Sequence, residues 1–206
     1  MPSGNKSLNL FFSNNFFLGS YNDILKLPES NLREYCFVGR SNVGKSSLIN
    51  AISKSKKLAK TSKTPGRTQT INLIQINKKI NLIDLPGYGY AKISKSSKEK
   101  LDDLIKSYIK VRKNIYRVYV LIDCKVGIKN IDIDFLDLIF TSNKNFSIIF
   151  TKIDKCALNT VNNQVNSLKT LMNNYNNNFI EIFTCSSKKK SGIESIKKDI
   201  FNLSKK

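Results

Sequence analysis

Gly39-Arg40-Ser41-Asn42-Val43-Gly44-Lys45-Ser46 satisfies the pattern GxxxxGK[ST] with nothing missing. An apolar run, Glu34–Val38, precedes it, and a helical pattern from Lys45 to Ile52 follows. That strand–loop–helix context is the one in which such a loop holds phosphate. Its backbone N–H groups point inward at phosphate oxygens, and its glycines allow the ligand to come close. Lys45 is expected to reach the β- and γ-phosphates, and the Ser46 hydroxyl to ligate Mg²⁺.

Four further elements follow in chain order. Thr64-Pro65-Gly66-Arg67-Thr68-Gln69-Thr70 lies in a Lys/Ser/Thr-rich loop, 54–70, where Thr68 offers a hydroxyl to Mg²⁺ and an N–H to the γ-phosphate. Asp84-Leu85-Pro86-Gly87 ends an apolar run; its carboxylate suits Mg²⁺ held through water, and the Gly87 N–H suits a γ-phosphate. Thr151-Lys152-Ile153-Asp154 ends another run, and Asp154 is placed to accept from guanine N1–H and the exocyclic amine, donors that adenine lacks. The Lys152 stem is expected along the face of the base. Cys185-Ser186-Ser187 follows the last apolar run and offers backbone N–H groups to the guanine carbonyl. GTP or GDP is therefore the expected ligand. The loops 54–70 and 85–96 carry few apolar residues, so their order is expected to come from the γ-phosphate and Mg²⁺.

Between these motifs strand and helix patterns alternate. Strands are expected at Glu34–Val38, Tyr116–Asp123, Phe146–Phe150 and Phe179–Phe183, with a hairpin at Ile71–Ile76 and Lys79–Asp84. Helices are expected at Lys45–Ile52, Ser97–Arg112, Ile131–Phe140, Leu158–Tyr175 and Gly192–Leu203. The fold class is α/β: a three-layer domain with a mixed, mostly parallel sheet of six or seven strands and helices on both faces. Residues 1–20, Asn/Ser-rich and studded with Phe, read as an N-terminal arm with room for one strand; residues 21–206 read as a single domain.

The chain has 206 residues, no His, and four Cys with no CxxC spacing. This excludes Ser-His and Cys-His catalysis and speaks against zinc, and reduced thiols in the cytoplasm are expected. No apolar run approaches a membrane span, so no stable membrane insertion is expected, and a monomer is. Lys plus Arg total 35 against 15 Asp plus Glu, a net charge of +20. Such a balance favours a polyanionic partner, first of all RNA. The competing reading is compositional: Lys, Asn and Ile crowd this sequence together, as an AT-rich genome would produce.

GRSNVGKSSLINAI, TSKTPGRTQTINL, DLPGYGYA and TKIDK resemble the EngB/YihA/YsxC family of bacterial ribosome-biogenesis GTPases, within the Era-like class. The likeness runs from about Gly19 to the last helix, and Thr151 at the head of the guanine motif is similar to what that family uses. The resemblance implies a GTP-binding protein that hydrolyses GTP during large ribosomal subunit assembly and that is needed for normal cell division and septation.

Three partner readings stay open: ribosomal RNA, a division protein bound irrespective of charge, and an anionic membrane surface. The last ranks lowest, because no amphipathic N-terminal helix is read. Water activation is open too. Tyr88 stands where many GTPases carry a water-orienting Gln, so slow intrinsic turnover is expected. Positive charge at the phosphates is available from Arg67 in cis, from K⁺ held by Asn42 as in potassium-activated Era-like members, or from a partner in trans. Alternatively Asn42 serves only an unusual loop conformation. Lys45, Thr68, Gly87 and Asn42 are the candidate catalytic residues.

Overall fold

The computed structural model describes residues 3–55, 58, 69–89, 94–175 and 177–205. Within them seven strands form one sheet: β1 (Asn15–Tyr21), β2 (Arg33–Gly39), β3 (Ile71–Ile76), β4 (Ile80–Asp84), β5 (Ile115–Asp123), β6 (Phe146–Thr151) and β7 (Phe179–Thr184). The spatial order is β1-β3-β4-β2-β5-β6-β7. Pairing is parallel from β4 through β2, β5 and β6 to β7, and antiparallel for β1 with β3 and for the β3–β4 hairpin. The expected mixed sheet is observed.

Among the described residues six α-helices cover it: α1 (Ser3–Ser13), α2 (Lys45–Ile52), α3 (Lys95–Val111), α4 (Asn130–Thr141), α5 (Leu158–Met172) and α6 (Ile193–Leu203). The alternation of the central strands decides which helices lie where, because successive side chains point to opposite faces. Cys36 and Val38 of β2 and Val118, Val120 and Ile122 of β5 point into a core shared with α3, α4 and α5. Tyr35 and Phe37 of β2 and Tyr119 and Leu121 of β5 point the other way, into a core shared with α1, α2 and α6. Strands buried on both faces read as continuous apolar runs, which is why they are plain in the sequence.

The N-terminal segment differs from the expected arm. Residues 3–13 form a helix, and β1 adds a seventh strand at the sheet edge, pairing from Asn15↔Ile76 to Tyr21↔Ile71. Leu8, Phe11 and Phe12 are buried, and their spacing makes one apolar helix stripe. An amphipathic N-terminal helix therefore does exist, contrary to the sequence reading. Its apolar face is spent on the core: Phe11 packs edge-on against Phe201 of α6, ring centroids 5.1 Å apart. Beside it Lys197, 1% exposed, donates to Asn9 Oδ1 at 2.8 Å and to Glu194 Oε1 at 2.9 Å, which ties α6 to α1 without leaving a buried charge unpaired. At the other end of the chain, the expected Leu158–Tyr175 helix is α-helical to Met172 and finishes as a 3-10 turn, Asn173–Tyr175. Among the described residues no helix is long and apolar enough to cross a membrane.

Candidate nucleotide-binding site

The parallel strands β2, β4, β5 and β6 end on the same side of the sheet, and the motif residues stand on the loops that leave those ends. Ligands of open α/β sheets sit there. The loop after β2 has the backbone its sequence demands. Gly44 adopts φ 105°, a conformation open to glycine, and a Cβ on Gly39 would fall 2.6 Å from the Leu121 carbonyl oxygen. Asn42 is left-handed as well, at φ 63°, the unusual loop conformation that an Asn tolerates. Gly44 also leaves α2 without a side-chain cap, so the first N–H groups of α2 stay available to an anion. Lys45, Val43 and Leu48 are buried, while Arg40, Ser41 and Ser46 are half-buried at the rim.

Lys45 Nζ is ion-paired with Asp84, both nearly inaccessible, and Asn72 Nδ2 donates to the second Asp84 oxygen at 3.1 Å. An ammonium carries three donors, so Lys45 can hold Asp84 and a phosphate oxygen together. Asn72 was not singled out from the sequence; its place opposite Asp84 in the β3–β4 hairpin was the available signal. The Ser46 hydroxyl and the Asp84 carboxylate are hard oxygen donors of the kind Mg²⁺ takes. Among the described residues no group of three or more His, Cys, Asp or Glu could hold a metal. A metal at Ser46, with Asp84 reaching it through water, would draw its remaining ligands largely from phosphate and water, which is the way Mg²⁺ is usually held at such sites.

The guanine elements converge. The Thr151 hydroxyl donates to the Val43 carbonyl at 2.6 Å, and Lys152 Nζ donates to the Asn42 carbonyl at 2.6 Å and to Asp123 Oδ2 at 2.8 Å. Thr151 and Lys152 thus tie the base-reading loop to the phosphate loop, and Asp123 at the end of β5 is a partner the sequence reading missed. Lys152 takes φ 57°, and the Ile153 N–H donates to the Cys185 carbonyl at 3.3 Å. Asp154 stays exposed, and its Oδ1 accepts from the Ser186 hydroxyl at 2.5 Å. That hydrogen bond, with help from Lys188 and Lys155, holds the Asp154 carboxyl below the usual carboxylate range, so the double-acceptor form persists.

Two expectations need correction, and a third falls on residues outside those described. The Cys185 N–H donates to Phe150 and the Ser186 N–H to Ser191, as partners of the strand end and its turn; of the triplet, only the Ser187 N–H lacks such a backbone partner among the described residues. Ser186 contributes its hydroxyl to Asp154 instead, and burial pushes the Cys185 thiol up to about 12, leaving it inert. The loop from residue 85 is also not poor in anchors: Leu85 is fully buried and Tyr88 nearly so, its ring stacked on Phe135 at 4.8 Å. Pro86 and Gly87 are buried between them. Finally, Gly66, Arg67 and Thr68 lie outside the described residues, as does most of the 54–70 loop; Gln69 is exposed, and the Thr70 hydroxyl donates to Asn72 Oδ1 at 3.2 Å.

A family model described as a 50S ribosome-binding GTPase matches residues 34–152. A Phocaeicola vulgatus protein described as "Probable GTP-binding protein EngB" is 44% identical over 180 residues, 87% of this chain and 90% of that protein. The chain belongs to the EngB family. A relative with the same description from Flavobacterium johnsoniae is 44% identical over 186 residues, 89% of this chain and 85% of its own. Among solved structures, one titled as a probable GTP-binding protein engB superposes with a TM-score of 0.66 at 28% identity, covering 84% of this chain and 98% of its own. Era of Aquifex aeolicus, solved with GDP and AlF4⁻, shares the fold, with a TM-score of 0.68 at 22% identity over 84% of this chain and 57% of that one. As an EngB-family GTPase, the chain binds GTP and hydrolyses it to GDP.

Proposed function

We propose that this EngB-family protein is a cytoplasmic guanine-nucleotide switch in large ribosomal subunit assembly, and that normal septation and cell division depend on it. The observation that carries this reading is the family match, described as a 50S ribosome-binding GTPase, over 34–152 of a chain with net charge +20. The switch works by reading the γ-phosphate. Lys45 and the uncapped start of α2 hold the phosphates, Asp154 and the Ser187 N–H read the base, and the Gly87 N–H and Thr68 sense the γ-phosphate. Mg²⁺, when bound, neutralises charge on the β- and γ-phosphate oxygens; Ser46 and Thr68 are its proposed protein ligands.

The RNA-facing surface includes α3, whose Lys100, Lys106 and Lys110 are exposed, as is Lys113 just beyond it. Lys98 and Arg112, the other basic residues along Ser97–Arg112, are half-buried. Arg112 is engaged by the buried Glu34, 2.7 Å from Nη2, and does not belong to a free basic face. Sucrose-gradient profiles of depleted cells test the role: precursors of the large subunit accumulate if it is right. Normal profiles in filamentous cells would support the alternative, a division factor acting through a protein partner that binds even at high salt.

Two sources of positive charge at the γ-phosphate are proposed. K⁺ held by Asn42 requires faster hydrolysis in KCl than in NaCl at equal ionic strength, a difference that Asn42→Ala abolishes. Arg67 acting in cis requires Arg67→Ala to slow turnover equally in both salts. If neither change matters, the ribosomal partner supplies the charge in trans.

A further inference from the structure

We propose that Tyr88, Asp132 and Arg40 are positioning residues that fix the Gly87 peptide against the phosphate loop, so that discrimination of GTP from GDP depends on the Tyr88 hydroxyl. The proposal rests on the GTPase reading and concerns side chains that it leaves without a role. Gly87 is bracketed by two backbone hydrogen bonds: Leu85 N–H to the Phe37 carbonyl at 3.0 Å, and Tyr88 N–H to the Gly39 carbonyl at 3.2 Å. Ser41 N–H returns one to the Tyr88 carbonyl at 3.3 Å. Two or three weak bonds of this kind do not by themselves hold a loop.

The side chain of Tyr88 supplies a second anchor in a direction the backbone does not. Its ring stacks on Phe135, and its hydroxyl donates to Asp132 Oδ1 at 2.9 Å. Asp132 is fully buried in the first turn of α4, and its Oδ2 accepts the Lys129 N–H at 2.8 Å. Arg40, itself a phosphate-loop residue, brings Nε to 3.2 Å from the same Oδ1, as an ion pair rather than an aligned hydrogen bond. Its Nη2 donates to the Gly127 carbonyl at 2.6 Å. Gly89 closes the cluster: at φ 70° its missing Cβ would lie 3.2 Å from Ile131.

A buried carboxylate is costly unless its lone pairs are occupied. Here one carboxylate gathers two hydrogen-bond donors and one ion pair from three segments: Tyr88 of the loop after β4, Lys129 of the turn before α4, and Arg40 of the phosphate loop. Losing the phenol hydroxyl removes one of the two hydrogen-bond donors and frees the Gly87 segment to move relative to the phosphate loop. GDP presents nothing to the Gly87 N–H, whereas GTP does. The cost of loosening therefore falls on GTP alone.

The test uses the full chain with Tyr88→Phe, which keeps the ring on Phe135, and with Asp132→Asn. Affinities for GDP and for a non-hydrolysable GTP analogue are measured, together with single-turnover hydrolysis and thermal unfolding. For Tyr88→Phe, GDP affinity stays within about twofold while the analogue binds about tenfold more weakly and hydrolysis slows, as expected for a hydrogen bond to a charged group. Asp132→Asn gives the same selective loss if it folds; if it does not, Tyr88→Phe decides. Equal loss for both nucleotides, or no loss for either, overturns the proposal. Failure of the unaltered protein to prefer GTP and GDP over ATP would instead overturn the GTPase reading on which it rests.

Discussion

The proposed role of Asp154 in base selection should be separable from phosphate binding. Asp154→Asn puts an amide donor where the guanine N1–H arrives; GTP affinity should fall by at least about a hundredfold and affinity for xanthosine triphosphate should rise, in a fluorescence titration. The Ser186 hydroxyl holds the Asp154 carboxyl low, and this fixes the sign of a pH effect. Only the carboxylate accepts both guanine donors, so guanine affinity falls as acidification protonates Asp154. Removing the hydroxyl in Ser186→Ala raises that carboxyl toward its ordinary value, and the acid limb of GDP binding should move to higher pH. An unmoved acid limb would mean that another group sets it.

At the scale of elements, α1 is part of the fold's core and β1 extends its sheet. Phe12, fully buried between α6 and the sheet, should cost about 3–5 kcal/mol when changed to Ala, read from urea unfolding. Leu10 on the same helix is 72% exposed, and Leu10→Ala should stay within about 0.5 kcal/mol. The central strands and the hairpin were legible in the sequence because apolar residues dominate each run, broken only by single polar residues such as Asn72, Gln75, Asn81, Arg117 and Ser147. The phosphate and guanine motifs were legible because their chemistry fixes residue type and spacing locally. Helix α1 was not: its Asn and Ser residues hid the stripe of Leu8, Phe11 and Phe12. The tether from Tyr88 to Asp132 was not legible either. It joins residues 44 apart in sequence, and an Asp early in a helix reads as a cap before it reads as an anchor for a distant loop. The same holds for Glu34, whose strand position reads as a flank but whose buried carboxylate gathers Arg112 and Tyr108.

For the whole molecule, a net charge of +20 fixes what any polyanion partner would show. Contacts to phosphate release counterions, so affinity falls linearly with the logarithm of salt concentration. Lys→Glu reversals at Lys100, Lys106 and Lys110 on the exposed face of α3 should lower that slope by about one per lost contact and leave GDP affinity unaltered. A protein partner met through an apolar surface would show neither effect. The central claim is that this charge and the nucleotide site act together on the large ribosomal subunit, and co-sedimentation with purified large subunits tests it most directly. With a GTP analogue and Mg²⁺ the protein should pellet with the subunits, with GDP it should remain in the supernatant, and the pelleted fraction should decline as salt is raised. Equal pelleting with both nucleotides, or none with either, would contradict the account.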